Sequence, residues 1–197
     1  MVKRKENKLF LIIGLLLIIM GIGTLIYNYN DNIKIKIQNK KAIKEYYKKE
    51  KQDEETNNDL KPDQKITYRY IAILKIPKIN LENGIVEKNS IYNNVQYGIE
   101  MLEESDYPDK INGDFILASH NGNSPVSHFR NLYRLELGDE AIVDYKNSSY
   151  IYKLTNIYDI PKTGKATIKS NNKKNNLVLI TCKGNTDFQT VYIFENN

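Results

Sequence analysis

The chain has 197 residues, 41% of them hydrophobic, which is enough for one ordinary domain and an appendage. A single cysteine excludes an intramolecular disulfide framework, so any core must come from apolar packing alone. The net charge of +5 does not point to nucleic acid, because the lysines are spread over an N-terminal flank, a polar stretch and scattered loops.

Residues 1–8 carry Lys3, Arg4, Lys5 and Lys8, and residues 9–26 are almost wholly apolar, broken only by Gly14, Gly21, Gly23 and Thr24. A helix of that length rises roughly 27 Å, enough to cross the hydrocarbon core of a bilayer. The basic flank predicts a cytoplasmic N-terminus, with the rest of the chain outside. A cleavable signal peptide is the competing reading, but the segment Tyr27-Asn28-Tyr29-Asn30 supplies no small-x-small cleavage site, and an uncleaved signal anchor is expected. A basic exterior domain with one free thiol and no disulfide suits a negatively charged envelope.

Residues 27–65 read as an extracellular charged tether, dense in Lys, Asn, Glu and Gln. Within it, 40–52 can form a charged helix whose apolar face is too thin to dock firmly, and 54–63 reads as disordered. The folded domain is expected over 66–197. From there the chain becomes short alternating or apolar runs separated by turn residues, the pattern of an all-β sandwich or barrel and not of βαβ units. Strands are predicted at 70–76, 84–86, 113–119, 140–145, 148–160, 176–181 and 190–194, with a hairpin turn at Asn147-Ser148. Short helices are predicted at 91–97 and 126–133, the second turning Phe129 and Leu132 inward.

Two reactive side chains fall at strand ends. Cys182 closes the apolar run Leu177-Val178-Leu179-Ile180-Thr181, and His120 follows Asp114-Phe115-Ile116-Leu117-Ala118-Ser119. Residue by residue, a buried hydrophobe and a structural histidine explain them as well as a nucleophile and its base do. His128 competes as base but is expected to be a partly exposed surface histidine. Ser119 and Ser127 lack the base and acid of a serine triad. Two histidines and one cysteine at these separations match no usual metal-ligand spacing, and no cofactor is indicated.

The wording around these residues resembles the sortases, the cysteine transpeptidases that attach proteins to Gram-positive cell walls. The resemblance covers about 70–194 and rests on four pieces in the family's order. These are Ile73-Leu74-Lys75-Ile76-Pro77-Lys78-Ile79, Ile116-Leu117-Ala118-Ser119-His120-Asn121, Phe129-Arg130-Asn131-Leu132 with Leu137-Gly138-Asp139, and Leu177-Val178-Leu179-Ile180-Thr181-Cys182. The last corresponds to the TLxTC signature, with the Thr-Cys pair retained. The resemblance implies a mainly β fold, an eight-stranded barrel with short connecting helices, and a catalytic pair of Cys182 and His120. The implied substrates are surface proteins with LPxTG-like or NPxTN-like sorting signals, and the implied acceptor is an amine of lipid II or peptidoglycan, or a pilin lysine.

The chain departs from the family at its third residue. Sortases carry an arginine on the strand after the cysteine; here that strand has none, and Gln189 stands nearest the expected position. Lys183, Arg130 and Arg134 are the other cations within reach. The long 92–109 insertion before the histidine strand is similar to class B sortases, whereas Asp106-Tyr107-Pro108 has the wrong order and place for a pilin-type lid motif. Two rival readings remain: a catalytically weak sortase-like module that binds sorting peptides, and a cysteine hydrolase on the same scaffold.

Overall fold

A computed structural model describes residues 3–53, 69–163 and 167–196. The disorder expected at 54–63 lies outside the described residues. The chain divides into two compact units, Met1–Gln38 and Asn39–Asn197. A single helix, α1 (Lys3–Asp53), begins in the first unit and ends in the second. Within the first unit, Phe10–Tyr27 is a candidate membrane span of 18 residues with mean hydropathy 2.6, and its large side chains, such as Leu16, Leu17 and Ile18, are exposed. An apolar surface of this kind is suited to lipid and not to water.

The second unit is built on one eight-stranded sheet. Its strands are β1 (Tyr70–Ile76), β2 (Leu81–Val86), β3 (Glu100–Met101), β4 (Asp114–Ala118), β5 (Glu140–Tyr145), β6 (Ser148–Pro161), β7 (Asn176–Cys182) and β8 (Phe188–Asn196). The order across the sheet is β2-β1-β5-β6-β8-β7-β4-β3, and the edge strands β2 and β3 approach each other, so the sheet curls into a nearly closed barrel. All pairings are antiparallel except β4 with β7. The mainly β, barrel-like architecture is as expected.

The interior is filled by side chains such as Leu74, Phe115, Leu117, Val143, Tyr152, Leu177, Leu179 and Phe194. A second, outer cluster joins Ile116, Val178, Ile180, Val191 and Ile193, with Leu102, Tyr158, Ile160 and Ile168 against it. β7 is therefore covered on both faces, which is why Leu177–Ile180 reads as a continuous apolar run instead of an alternating one.

Several local expectations differ from the structure. Residues 91–97 form successive turns and no helix. The Asn93 side chain donates to the Met101 carbonyl at 2.8 Å and accepts from the Met101 N–H at 2.7 Å, and Asn94 takes the Gln96 N–H at 2.9 Å. Such side-chain bonds compete with helical ones. Residues 126–133 are turns leading into a single 3-10 turn, Leu132–Arg134, although Phe129 and Leu132 do point into the core. Strand β3 was not anticipated, being only two residues long. The β5–β6 hairpin turns at Lys146-Asn147, one residue earlier than expected; both have positive φ (47° and 59°), the type I′ geometry that matches strand twist.

The segment expected as a loose tether is helical as far as Asp53, and its part in the second unit docks on the barrel. Ile43 and Tyr46 are buried and pack with Ile73, whose side chain leaves the outer face of β1. The apolar face is thin, as the composition implied, but hydrogen bonds supplement it. Tyr46 Oη donates to the Asp144 carbonyl at 3.2 Å and Tyr47 Oη to Asp144 Oδ2 at 2.6 Å. The same carboxylate receives Lys75 Nζ and the Ser149 hydroxyl, each at 2.6 Å. Burial alone would raise the Asp144 carboxyl, but these three donors outweigh it and hold it below the usual carboxylate range. Burial and the bond to Asp144 push the Tyr47 phenol up to about 12.

Candidate active site

The parallel pairing of β4 with β7 brings the two reactive strand ends together. Ala118 is opposite Ile180 in the last pair of the ladder, and His120 lies two residues beyond the end of β4 where Cys182 closes β7. The chains stay in contact past the last paired residues: the Ser119 N–H donates to the Ile180 carbonyl at 3.3 Å, the Thr181 hydroxyl to the Ser119 carbonyl at 2.8 Å, and the Asn121 side-chain amide to the Cys182 carbonyl. His120 is exposed and Cys182 half-buried, as a solvent-facing base and a reachable thiol would be.

β8 completes the row. Cys182 is paired with Gln189, Ile180 with Val191 and Val178 with Ile193, so Gln189 shares the face of Cys182 and of the outer apolar cluster. On the far side Gln189 is paired with Ile160 of β6. Cys182, Gln189 and Ile160 thus lie side by side across β7, β8 and β6, at the end of an apolar floor, with His120 just past the end of the neighbouring β4. The β6–β7 connection borders that floor: Ile168 packs on it, and the Lys169 N–H donates to Tyr158 Oη at 2.8 Å.

The cations considered as alternatives to Gln189 are directed elsewhere. Lys183 follows Cys182 and alternates to the opposite face, where it forms an ion pair with Asp159. Asp159 also accepts from the Thr190 hydroxyl at 2.9 Å, and Lys183 first, then Thr190, holds its carboxyl below the ordinary range against its partial burial. Arg130 braces the loop after His120, donating to the Ser124 carbonyl at 2.6 Å and to the Ser127 carbonyl at 3.5 Å. Arg134 is exposed on the 3-10 turn.

His128 is partly exposed, as expected, but most of its ring is covered. Its ring lies against Gly98, and burial, then the neighbouring Arg130 charge, pushes its pKa down to about 4. It is a half-buried imidazole, held neutral near pH 7. Ser119 is likewise committed to structure, its hydroxyl donating to the Gly98 carbonyl at 3.0 Å. Asn121, Thr181 and Asp159 are the site residues that sequence reasoning did not assign. The wording His120-Asn121 and Thr181-Cys182 held the signal for two of them, since a polar side chain next to a reactive one at a strand end has nearby main chain to bind.

The sortase domain model matches residues 74–195, which is most of the chain. The chain belongs to the sortase family. Sortases are cysteine transpeptidases, and both Cys182 and His120 fall inside the matched region. No curated protein sequence matches the chain. Among solved structures, the fold is similar to that of a lid mutant of sortase A from Corynebacterium diphtheriae, with 18% identity, 65% of this chain and 70% of that one covered, and a TM-score of 0.58. It is similar to Streptococcus agalactiae sortase C1 in complex with MTSET at 19% identity, covering 67% of this chain and 69% of that one, with a TM-score of 0.59. The match to the Clostridium perfringens sortase D5 transpeptidase, also at 19% identity, covers 82% of this chain and 97% of that one with a TM-score of 0.59. At these identities the structures establish the sortase fold.

Proposed function

We propose that this sortase is a membrane-anchored transpeptidase that cleaves a C-terminal sorting motif of a surface protein and passes the acyl group to a cell-wall amine. The observation that carries the reading is that the end of β4, which His120 follows, runs beside the end of β7, which Cys182 closes, with Gln189 paired to Cys182 from β8. The Cys182 thiolate attacks the scissile carbonyl, forming a C–S bond and a tetrahedral oxyanion. His120 serves as base or ion-pair partner to the thiol and then gives a proton to the departing amine. Collapse of the oxyanion leaves a thioester and frees the C-terminal fragment; an incoming amine, deprotonated as it attacks, then displaces Cys182. The Gln189 amide donates to the oxyanion or substrate carbonyl, without the charge that an arginine would bring.

The substrates are of LPxTG-like or NPxTN-like type, and the acceptor is an amine of lipid II or peptidoglycan. The apolar span 9–26, flanked by Lys3, Arg4, Lys5 and Lys8, supports a single pass with the N-terminus cytoplasmic and the 66–197 domain outside. The 92–109 insertion supports the class B likeness. The neutral Gln189 also favours a second reading, a weak module that binds sorting peptides with little turnover.

The test incubates the full chain in detergent micelles with pooled LPxTG-like and NPxTN-like peptides and an amine, read by mass spectrometry. Cys182-dependent adducts that pass to the amine are expected. Release of acid alone would mean a hydrolase, and binding without an adduct would mean the weak module.

A further inference from the structure

The end of the β4–β7 ladder is closed by side chains. The Ser119 N–H donates to the Ile180 carbonyl at 3.3 Å. A parallel ladder carried on in register would next direct the Asn121 N–H to the Cys182 carbonyl. The group that reaches this carbonyl is instead the Asn121 side-chain amide, and the Ser119 carbonyl is taken by the Thr181 hydroxyl at 2.8 Å. Between the two tied positions lies His120, whose own carbonyl accepts the Phe129 N–H at 3.1 Å. The backbone therefore leaves the ladder at His120 and enters the 121–129 loop while still laced to the residue before and the residue after.

We propose that Asn121 is a positioning residue that holds His120 against Cys182 through the carbonyl of Cys182, without touching substrate. This rests on the reading of His120 and Cys182 as the reacting pair. The physical reason is that strand ends fray where the ladder stops, whereas proton transfer requires the base and thiol to stay within hydrogen-bond reach. The residues that follow, Gly122, Asn123, Ser124 and Pro125, are exposed and without regular structure, and the bonds that brace this loop at Ser124 run to Arg130 and Ser127, not to Cys182. A bond to the main chain of the nucleophile itself ties the histidine segment to the group it must meet. Asparagine suits the task because it supplies a donor on a short stem; aspartate has the same size but only acceptor oxygens to set against a carbonyl.

Because Cys182 is the only cysteine in the chain, alkylation by iodoacetamide read by intact mass reports on this thiol alone and needs no peptide substrate. The rate is measured from about pH 5 to pH 9 on the full chain in detergent micelles, spanning the range in which thiols gain reactivity. Wild type, His120→Ala, Asn121→Ala and Asn121→Asp are compared, with melting curves for each. Loss of His120 is expected to slow alkylation near pH 7 by roughly tenfold or more. Both Asn121 variants should move most of the way toward the His120→Ala profile, roughly three- to tenfold slower, with little change in melting temperature. If Asn121→Ala does not fold, Asn121→Asp decides the matter. Asn121 variants that melt earlier yet keep the wild-type pH profile would overturn the positioning role and leave the reacting pair standing. A wild-type profile identical to that of His120→Ala would overturn both.

Discussion

Gln189 is the residue paired with Cys182 across the β7–β8 ladder, and the two share one face of the sheet. No arginine is present on β8, and Lys183 is engaged with Asp159 on the opposite face. Under the proposed function, transition-state donation at this site would come from a neutral amide. Cys182→Ala should abolish turnover, and Gln189→Ala should lower kcat/KM by roughly a hundredfold, as loss of an oxyanion donor does. Gln189→Arg should preserve or raise it. Steady-state kinetics on a peptide selected from the pooled screen checks the series; unchanged kinetics in Gln189→Ala would remove the assignment.

The Asp144 cluster should make helix docking sensitive to pH at both extremes. Asp144 is held below its ordinary value, so its contribution is present above about pH 4 and lost as acid protonates it. Lys75 is raised by Asp144 and Tyr47 despite a burial cost, and Tyr47 is raised, so their contributions are present below about pH 10 and lost as alkali deprotonates them. Melting temperature against pH should show a plateau between these edges, and Asp144→Asn should blunt both. Tyr47→Phe, which removes one bond to a charged acceptor, should cost about 1.5–3 kcal/mol.

His128 adds its own acid sensitivity. Its folded value, about 4, is below that of an unfolded histidine, so the unfolded chain binds a proton that the native state refuses. Stability should fall between about pH 6.5 and 4, by on the order of 1–2 kcal/mol attributable to this residue. Urea unfolding of wild type and His128→Gln at pH 7 and pH 4.5 measures the difference. Equal acid losses in the two proteins would show that His128 is not enclosed.

Gly84 is a close-approach position: a Cβ there would fall inside the Tyr70 ring, whose hydroxyl donates to Asn39 Oδ1 at 2.9 Å at the start of the docked helical segment. Gly84→Ala should destabilise the domain by about 1–3 kcal/mol through overpacking. Tyr70→Ala in the same chain should remove that excess, giving a double-mutant total well below the sum of the single effects. Additive losses in unfolding experiments would place the cost elsewhere.

Most of the sheet was legible locally, because strand residues alternate with a period of two and turn residues interrupt them. β1 and β5 fall where the pattern put them, and Cys182 and His120 were visible as polar, reactive residues closing apolar runs. The helices expected at 91–97 and 126–133 were not, because Asn93, Asn94 and Ser124 supply side-chain bonds that propensity alone does not weigh.

By itself the sequence determined the apolar span and the β class, and it marked Cys182 and His120 as candidates, since each is written in neighbouring residues whose hydropathy and chemistry act locally. Only the tertiary structure decided that β4 runs parallel to β7, bringing residues 120 and 182 together across a long separation in the chain. It alone also turned Lys183 toward Asp159, enclosed His128, and seated Tyr46 and Tyr47 on Asp144. These outcomes depend on which strand ends and polar side chains meet after folding. Long-range pairing is set by the summed packing of the whole barrel, of which no short stretch of sequence carries more than a part.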